Sequence, residues 1–172
     1  MTETLNISTT HESNYRLIFP FIPFLNSDLD KEKKSSFQLY CKTVTLPAVE
    51  LETIDVETAT VTLKEPTNKL RTADLTVTFA IDEFFKNYTF IYNWMLAIKT
   101  PEKWPLKTKN TKIDASLIIL TNNKNPKLQV KLIDLFPKNL SEVPFSYITD
   151  TSNDLIATAI FSLNYFLIEP TT

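Results

Sequence analysis

Across 172 residues the chain contains no glycine. Glycine takes positive φ without steric cost, so its absence narrows the turns, bulges and helix stops the backbone can use. Positions that require φ > 0 are expected to fall to Asn and Asp, the next most tolerant side chains. Whole chemistries go with it. Phosphate-cradling loops and the dinucleotide fingerprint need glycine for close backbone approach to phosphate. The common routes to ATP, GTP and NAD chemistry are therefore excluded.

The hydrophobic pattern points to strands. Residues 74–81 alternate, with Leu75, Val77, Phe79 and Ile81 on one face and Thr76, Thr78 and Ala80 on the other, the signature of a half-buried strand. Residues 37–45 are rich in β-branched and aromatic side chains and read as another. Pro20 and Pro23 confine residues 15–24 to an edge or broken strand. Residues 49–65 read as two extended segments around a bend, followed by a loop over 66–71. Strands are expected over 114–121 and 127–136, joined by a turn in which Asn122, Asn123 and Asn125 take the place of glycine. Residues 137–149 read as a connector. Continuous alternation from Leu155 to Leu167 predicts one long terminal strand.

One helix interrupts this pattern. Asp82 is placed to cap it, and Phe84, Tyr88, Ile91, Met95 and Ile98 form an apolar stripe at helical spacing, widened by Phe90 and Trp94. Thr100-Pro101 ends it. The expected fold is mainly β, a β-sandwich or small barrel with one flanking α-helix. It forms a single domain over 1–172, with 1–13 a flexible arm.

Catalytic raw material is scarce. His11 is the single histidine and Cys41 the single cysteine. A Cys/His zinc site needs more such ligands than the chain owns, and a Ser–His–Asp or Cys–His site would have to recruit His11 from the flexible arm. Asp82-Glu83 stand at a helix start, where acids are favoured anyway. We read the chain as a non-enzyme with no catalytic, metal or cofactor-binding residues and no cofactor. A formal charge of -2 gives no global basic field for nucleic acid. Lys103, Lys107, Lys109 and Lys112 read as a solvated loop, Trp94 and Trp104 as packing residues, and Cys41 as a small buried hydrophobe. No apolar run is long enough to span a bilayer, and the polar N-terminus lacks the pattern of a secretory signal. Glu50, Glu52, Asp55 and Glu57 are expected to give the 49–65 strand pair one negative face.

The run Phe37-Gln-Leu-Tyr-Cys-Lys-Thr-Val-Thr-Leu-Pro-Ala48 resembles the tail tube protein family of contractile-tailed phages. Further landmarks follow in the family's order. An alternating strand ends at Asp82-Glu83 and opens an aromatic helix with Trp94. Leu135-Phe136-Pro137-Lys138-Asn139 is similar to a family turn, and Asp154-Leu155-Ile156 leads into a final strand through Leu163-Asn164-Tyr165. Two departures are visible: a long insert around 26–36, and Val49 where a glycine often follows Leu-Pro-Ala.

The resemblance implies a structural virion protein of the tail, assembled in the host cytoplasm. Copies would form hexameric rings that stack into the inner tube and conduct the genome during ejection. The departures keep open a tube-end paralogue (a terminator or baseplate initiator), and the tube of a related secretion or injection system is a further alternative. Implied partners are further copies of the chain, the sheath, the baseplate, the tail terminator and DNA in transit, with no stable membrane association. The implied inter-subunit and inter-ring residues are Leu46, Pro47, Val49, Leu51, Ile54, Val56 and Leu70. Asp55 and Glu57 are the candidates for the lumen wall, where acids would repel passing phosphates.

Overall fold

The computed structural model describes residues 12–19, 40–99, 112–147 and 154–171. His11, Trp104, Lys103, Lys107, Lys109, the 26–36 insert and most of the 1–13 arm lie outside them. In chain order the elements are β1 (Tyr15–Ile18), β2 (Cys41–Thr45), β3 (Val49–Glu57), β4 (Thr62–Thr72), β5 (Leu75–Ala80), α1 (Lys86–Lys99), β6 (Ile113–Leu120), β7 (Pro126–Leu140), β8 (Ile156–Ser162) and β9 (Tyr165–Pro170). All the strand pairs are antiparallel.

Two four-stranded sheets share β7. Its first part pairs with β6 on one side and β9 on the other, and β1 adds to β6. Its last residues, from Phe136, pair instead with β8, which continues to β5 and β2. The crossover falls at Asp134, which adopts φ 58°. There the Asp134 amide donates to Asp114 Oδ1 at 3.0 Å, and Asn164 Nδ2 donates to Asp134 Oδ2 at 2.5 Å. A strand that bends from one sheet into the other makes a corner of a sandwich.

The interior between the sheets is one apolar cluster. Leu117, Val130, Leu132 and Leu135 from one sheet meet Leu75, Val77, Phe79, Ala159 and Phe161 from the other. Helix α1 closes it. Trp94 is fully buried, with its ring 5.9 Å from that of Phe161 and 6.4 Å from Phe90. The expected fold class therefore holds: mainly β, with one flanking helix.

Several local expectations are corrected. The helix starts at Lys86, not directly after Asp82, because a turn closed by the Phe85 amide on the Asp82 carbonyl intervenes. Asp82 still caps, accepting from the Asn87 amide at 3.1 Å. Asn87 is fully buried and satisfied, donating to the Ala80 carbonyl and accepting from the Tyr88 amide. The buried stripe is Asn87, Phe90, Ile91 and Trp94. Tyr88, Met95 and Ile98 only border the core, and Phe84 stands outside the helix at 73% exposure.

Among the described residues positive φ occurs at Phe85, Lys124 and Asp134, so one of these three falls on the Asn/Asp pair expected to substitute for glycine. At Lys124 the tight Thr121–Asn125 turn imposes it, and the Lys124 ammonium is held by Asn14 Oδ1. At Phe85 the ring packs against Tyr88 and Phe145. Local packing at these two sites offsets a cost of about 1–2 kcal/mol per residue.

The expected 66–71 loop is strand, since β4 runs through it opposite β3. Pro66 is tolerated because a two-stranded ribbon leaves one side of each strand unpaired. The expected turn and connector from Pro137 are also strand up to Leu140, with a bulge at Lys138. The single terminal strand divides at Leu163-Asn164, where the Asn164 amide donates to the Ile133 carbonyl and β9 folds back along β7. Alternation survives the break, which is why the sequence does not reveal it.

Candidate assembly surface

β3 and β4 form a two-stranded sheet of their own. The ribbon continues the β2–β5 pair beyond the end of the sandwich through residues 46–48 and 73–74. The Ala73 amide donates to the Ala48 carbonyl at 2.9 Å and carries the ladder across this junction. At the tip the Thr58 amide bonds the Val61 carbonyl at 3.0 Å, and the Thr58 hydroxyl accepts from the Val61 amide at 3.2 Å. Farther in, Arg71 pairs with Glu52 at 2.8 Å, and Thr67 Oγ1 donates to the Glu52 carbonyl at 2.7 Å across a bulge.

The composition of the ribbon contradicts its surroundings. Val49, Leu51, Ile54, Val56, Leu63 and Leu70 are all between 41% and 63% exposed. Val56 lies opposite Leu63, and Leu51 opposite Leu70. Cross-strand apolar pairs stabilise a sheet when a neighbouring layer covers them. Among the described residues no layer does. Strand alternation puts Val49 and Leu51 on one side of β3 and Ile54 and Val56 on the other, so each side of the ribbon exposes apolar residues among charges, as an interaction element does, and a lone hairpin is marginal in water without packing.

Of the expected contact residues, Leu46, Val49, Leu51, Ile54, Val56 and Leu70 are exposed on or beside the ribbon, distributed over both of its sides. Pro47 is buried within the chain itself. Leu63 and Val61, both exposed, were missed from the sequence, although their alternation with Thr62 and Lys64 carried the signal. The single negative face is corrected. Strand alternation puts Glu50 and Glu52 on one side of β3 and Asp55 and Glu57 on the other. Lys64 stands opposite Asp55, so the second side is not purely acidic.

An open groove of about 450 Å³ between β1 and β2 is lined by Glu12, Ser13, Tyr15, Lys42, Thr43 and Val44. Among the described residues no group of three or more His, Cys, Asp or Glu could hold a metal. No described helix is long and apolar enough to cross a membrane.

Beside the groove, the Tyr15 hydroxyl donates to the Lys42 carbonyl at 2.8 Å. Burial pushes the Cys41 thiol up to about 11, and burial reinforced by Cys41 pushes Tyr15 up to about 12. Thiolate is the reactive form. Alkylation of Cys41 at pH 8 is therefore expected to run about a hundredfold slower than in an unstructured peptide. Mass-spectrometric labelling across pH checks this, and peptide-like rates at pH 8 contradict it. The stability sign follows from the raised values. The contribution of the protonated forms is complete below the ordinary values of 9.0 and 10.0 and is lost as pH rises through about 11 and about 12.

The fold and the ribbon define a β-sandwich that carries a projecting, unburied apolar arm. The chain belongs to the phage tail tube protein family, whose sequence model matches residues 10–169. It is 30% identical over 142 residues to the tail tube terminator protein of Enterobacteria phage T4, covering 78% of this chain and 80% of that protein. Its fold is similar to a chain of the sheath–tube complex of an extracellular contractile injection system (PVC) in the extended state. That match has a TM-score of 0.66 and 10% identity, covering 96% of this chain and 95% of the other. It is equally similar to the tube-terminating cap of the anti-feeding prophage, with a TM-score of 0.66 and 12% identity over 95% and 93%.

Proposed function

We propose that this protein is a ring-forming structural subunit at the end of the tube of a contractile phage tail, acting as a terminator. The observation that carries the reading is the exposed ribbon, an apolar arm left uncovered by the described residues. Kinship with a tube terminator over most of both chains supports the tube end rather than the shaft. In this reading six copies close into a ring. Closure engages the sheet edges that would otherwise invite uncontrolled pairing. Stacking of ring on tube is a heterologous contact that propagates unless one face is made non-adhesive, and a terminator supplies that face.

The partners are the last tube ring, the sheath and DNA in transit, and the site of action is the virion tail. Asp55 and Glu57, on one side of the ribbon, are proposed as lumen acids near the ring's rim. Negative-stain microscopy of the purified chain tests the assembly. Discrete closed rings that halt the growth of the cognate tube protein are expected. Indefinite tubes would assign the chain to the shaft, and strict monomers at high concentration would overturn both readings.

A further inference from the structure

The outward face of the β7–β8–β5–β2 sheet has a different character from the rest of the surface. Register aligns Thr43, Thr78 and Thr158 in one cross-strand row and Thr45, Thr76 and Ile160 in the next. The Thr78 and Thr158 hydroxyls are 3.3 Å apart. No Asp, Glu, Lys, Arg or His occupies an outward-facing paired position of this sheet. The outward face of the other sheet carries Arg16, Asp114, Lys131 and Glu169.

Among the described residues two lysines border the neutral face, and both are restrained in the same way. Lys42 is the extra residue of a β-bulge in β2, and Lys138 is the extra residue of a bulge in β7. Each side chain reaches past an intervening strand. Lys42 Nζ meets Asp154, just before β8, at 2.9 Å, and Lys138 Nζ meets Asp74, just before β5, at 2.7 Å. One ion pair therefore brackets each end of the threonine rows.

A wall past which DNA slides must offer phosphates no free cation. Each unshielded Lys that contacts a phosphate releases counterions and adds affinity. Hydroxyls keep the wall wet without adding charge. We infer that this hydroxyl-lined face is the surface past which the polyanion travels, and that Asp74 and Asp154 serve to neutralise the lysines at its margins. The inference rests on the ring reading above and deepens it. It also separates two ways of keeping DNA moving: acids at the rim repel, whereas this face simply fails to bind.

The test uses assemblies of the full chain and a short labelled DNA duplex. Asp74→Asn with Asp154→Asn frees both lysines and leaves the sheet intact, because exposed ion pairs contribute little to folding. At about 50 mM salt these assemblies are expected to retain duplex roughly tenfold more than wild type, and the gain is expected to vanish at about 200 mM. Adding Lys42→Gln and Lys138→Gln should abolish the gain. Equal retention by wild type and the Asn variant, or a gain that survives the Gln substitutions, overturns the inference. Cryo-electron microscopy of wild-type assemblies supplies an independent arm. Thr78 and Thr158 are expected to face the channel, and their appearance on the outer wall refutes the inference while leaving the ring reading standing. Wild-type chains that never assemble refute both.

Discussion

Val56→Lys combined with Leu63→Glu is expected to leave the monomer folded and to abolish its assembly. The two side chains stand directly opposite one another on the ribbon and are 41% and 48% exposed. Their removal takes little from the monomer's own core. The new charges are of opposite sign across the strand pair, which preserves ribbon pairing. At an interface the outcome reverses. Truncating a buried apolar anchor costs about 2 kcal/mol or more, and burying a charge imperfectly paired across an interface costs further. In the proposed ring the loss recurs at every contact. Circular dichroism should show the melting temperature within about 3 °C of wild type, since about 1 kcal/mol shifts a domain of this size by only 2–4 °C. Sedimentation velocity should show monomers alone. Assembly that persists would exclude the ribbon as the contact, and a collapsed melting temperature would make it part of the monomer core.

Trp94→Ala is expected to destabilise the fold by about 3–5 kcal/mol, the range for truncating a large buried aromatic. Trp94 is the largest fully buried side chain among the described residues, and it joins α1 to Phe161 on β8 directly, with Phe90 of the same helix on one flank. The informative comparison is Phe84→Ala. Helical spacing alone puts both residues on the apolar side, yet Phe84 is 73% exposed and meets little beyond the Lys86 ammonium, 5.5 Å from its ring centroid. Its truncation should cost under about 1 kcal/mol. Urea unfolding of the two variants separates the cases, and similar midpoints would refute the placement of the helix.

What the sequence disclosed follows from which forces are local. The 75–80 strand was legible because sheet pleating has period two and one face is buried. The Leu155–Leu163 alternation was legible for the same reason. Its end was not, because the break at Asn164 depends on Ile133 and Asp134, some thirty positions earlier. The bend in β7 is equally non-local: Asp134 is held in positive φ by Asp114 and Asn164, residues remote in sequence. The helix face was half right, because propensity marks the helix but the turn at Phe85 sets its phase.

The ribbon presents the opposite case. Its apolar residues at 49, 51, 54, 56, 63 and 70 follow no pattern that separates a core face from an exposed one, and the structure leaves them exposed among the described residues. The candidate contact residues thus rest on family resemblance more than on physics. The acids were misread as one face because four carboxylates close in sequence do not share a side once the strand alternates.

The ribbon is rooted in β2 and β5, and β5 lies between β2 and β8 in the sheet. Its side chains Leu75, Val77 and Phe79 are fully buried. A pull along the ribbon therefore reaches the sandwich as shear. The hydrogen bonds on both flanks of β5 share the load at once instead of parting one after another, as they would if an edge strand were peeled away. Anchored at a fully paired strand, the arm can carry tension between neighbouring parts of an assembly with the body of each subunit as its footing.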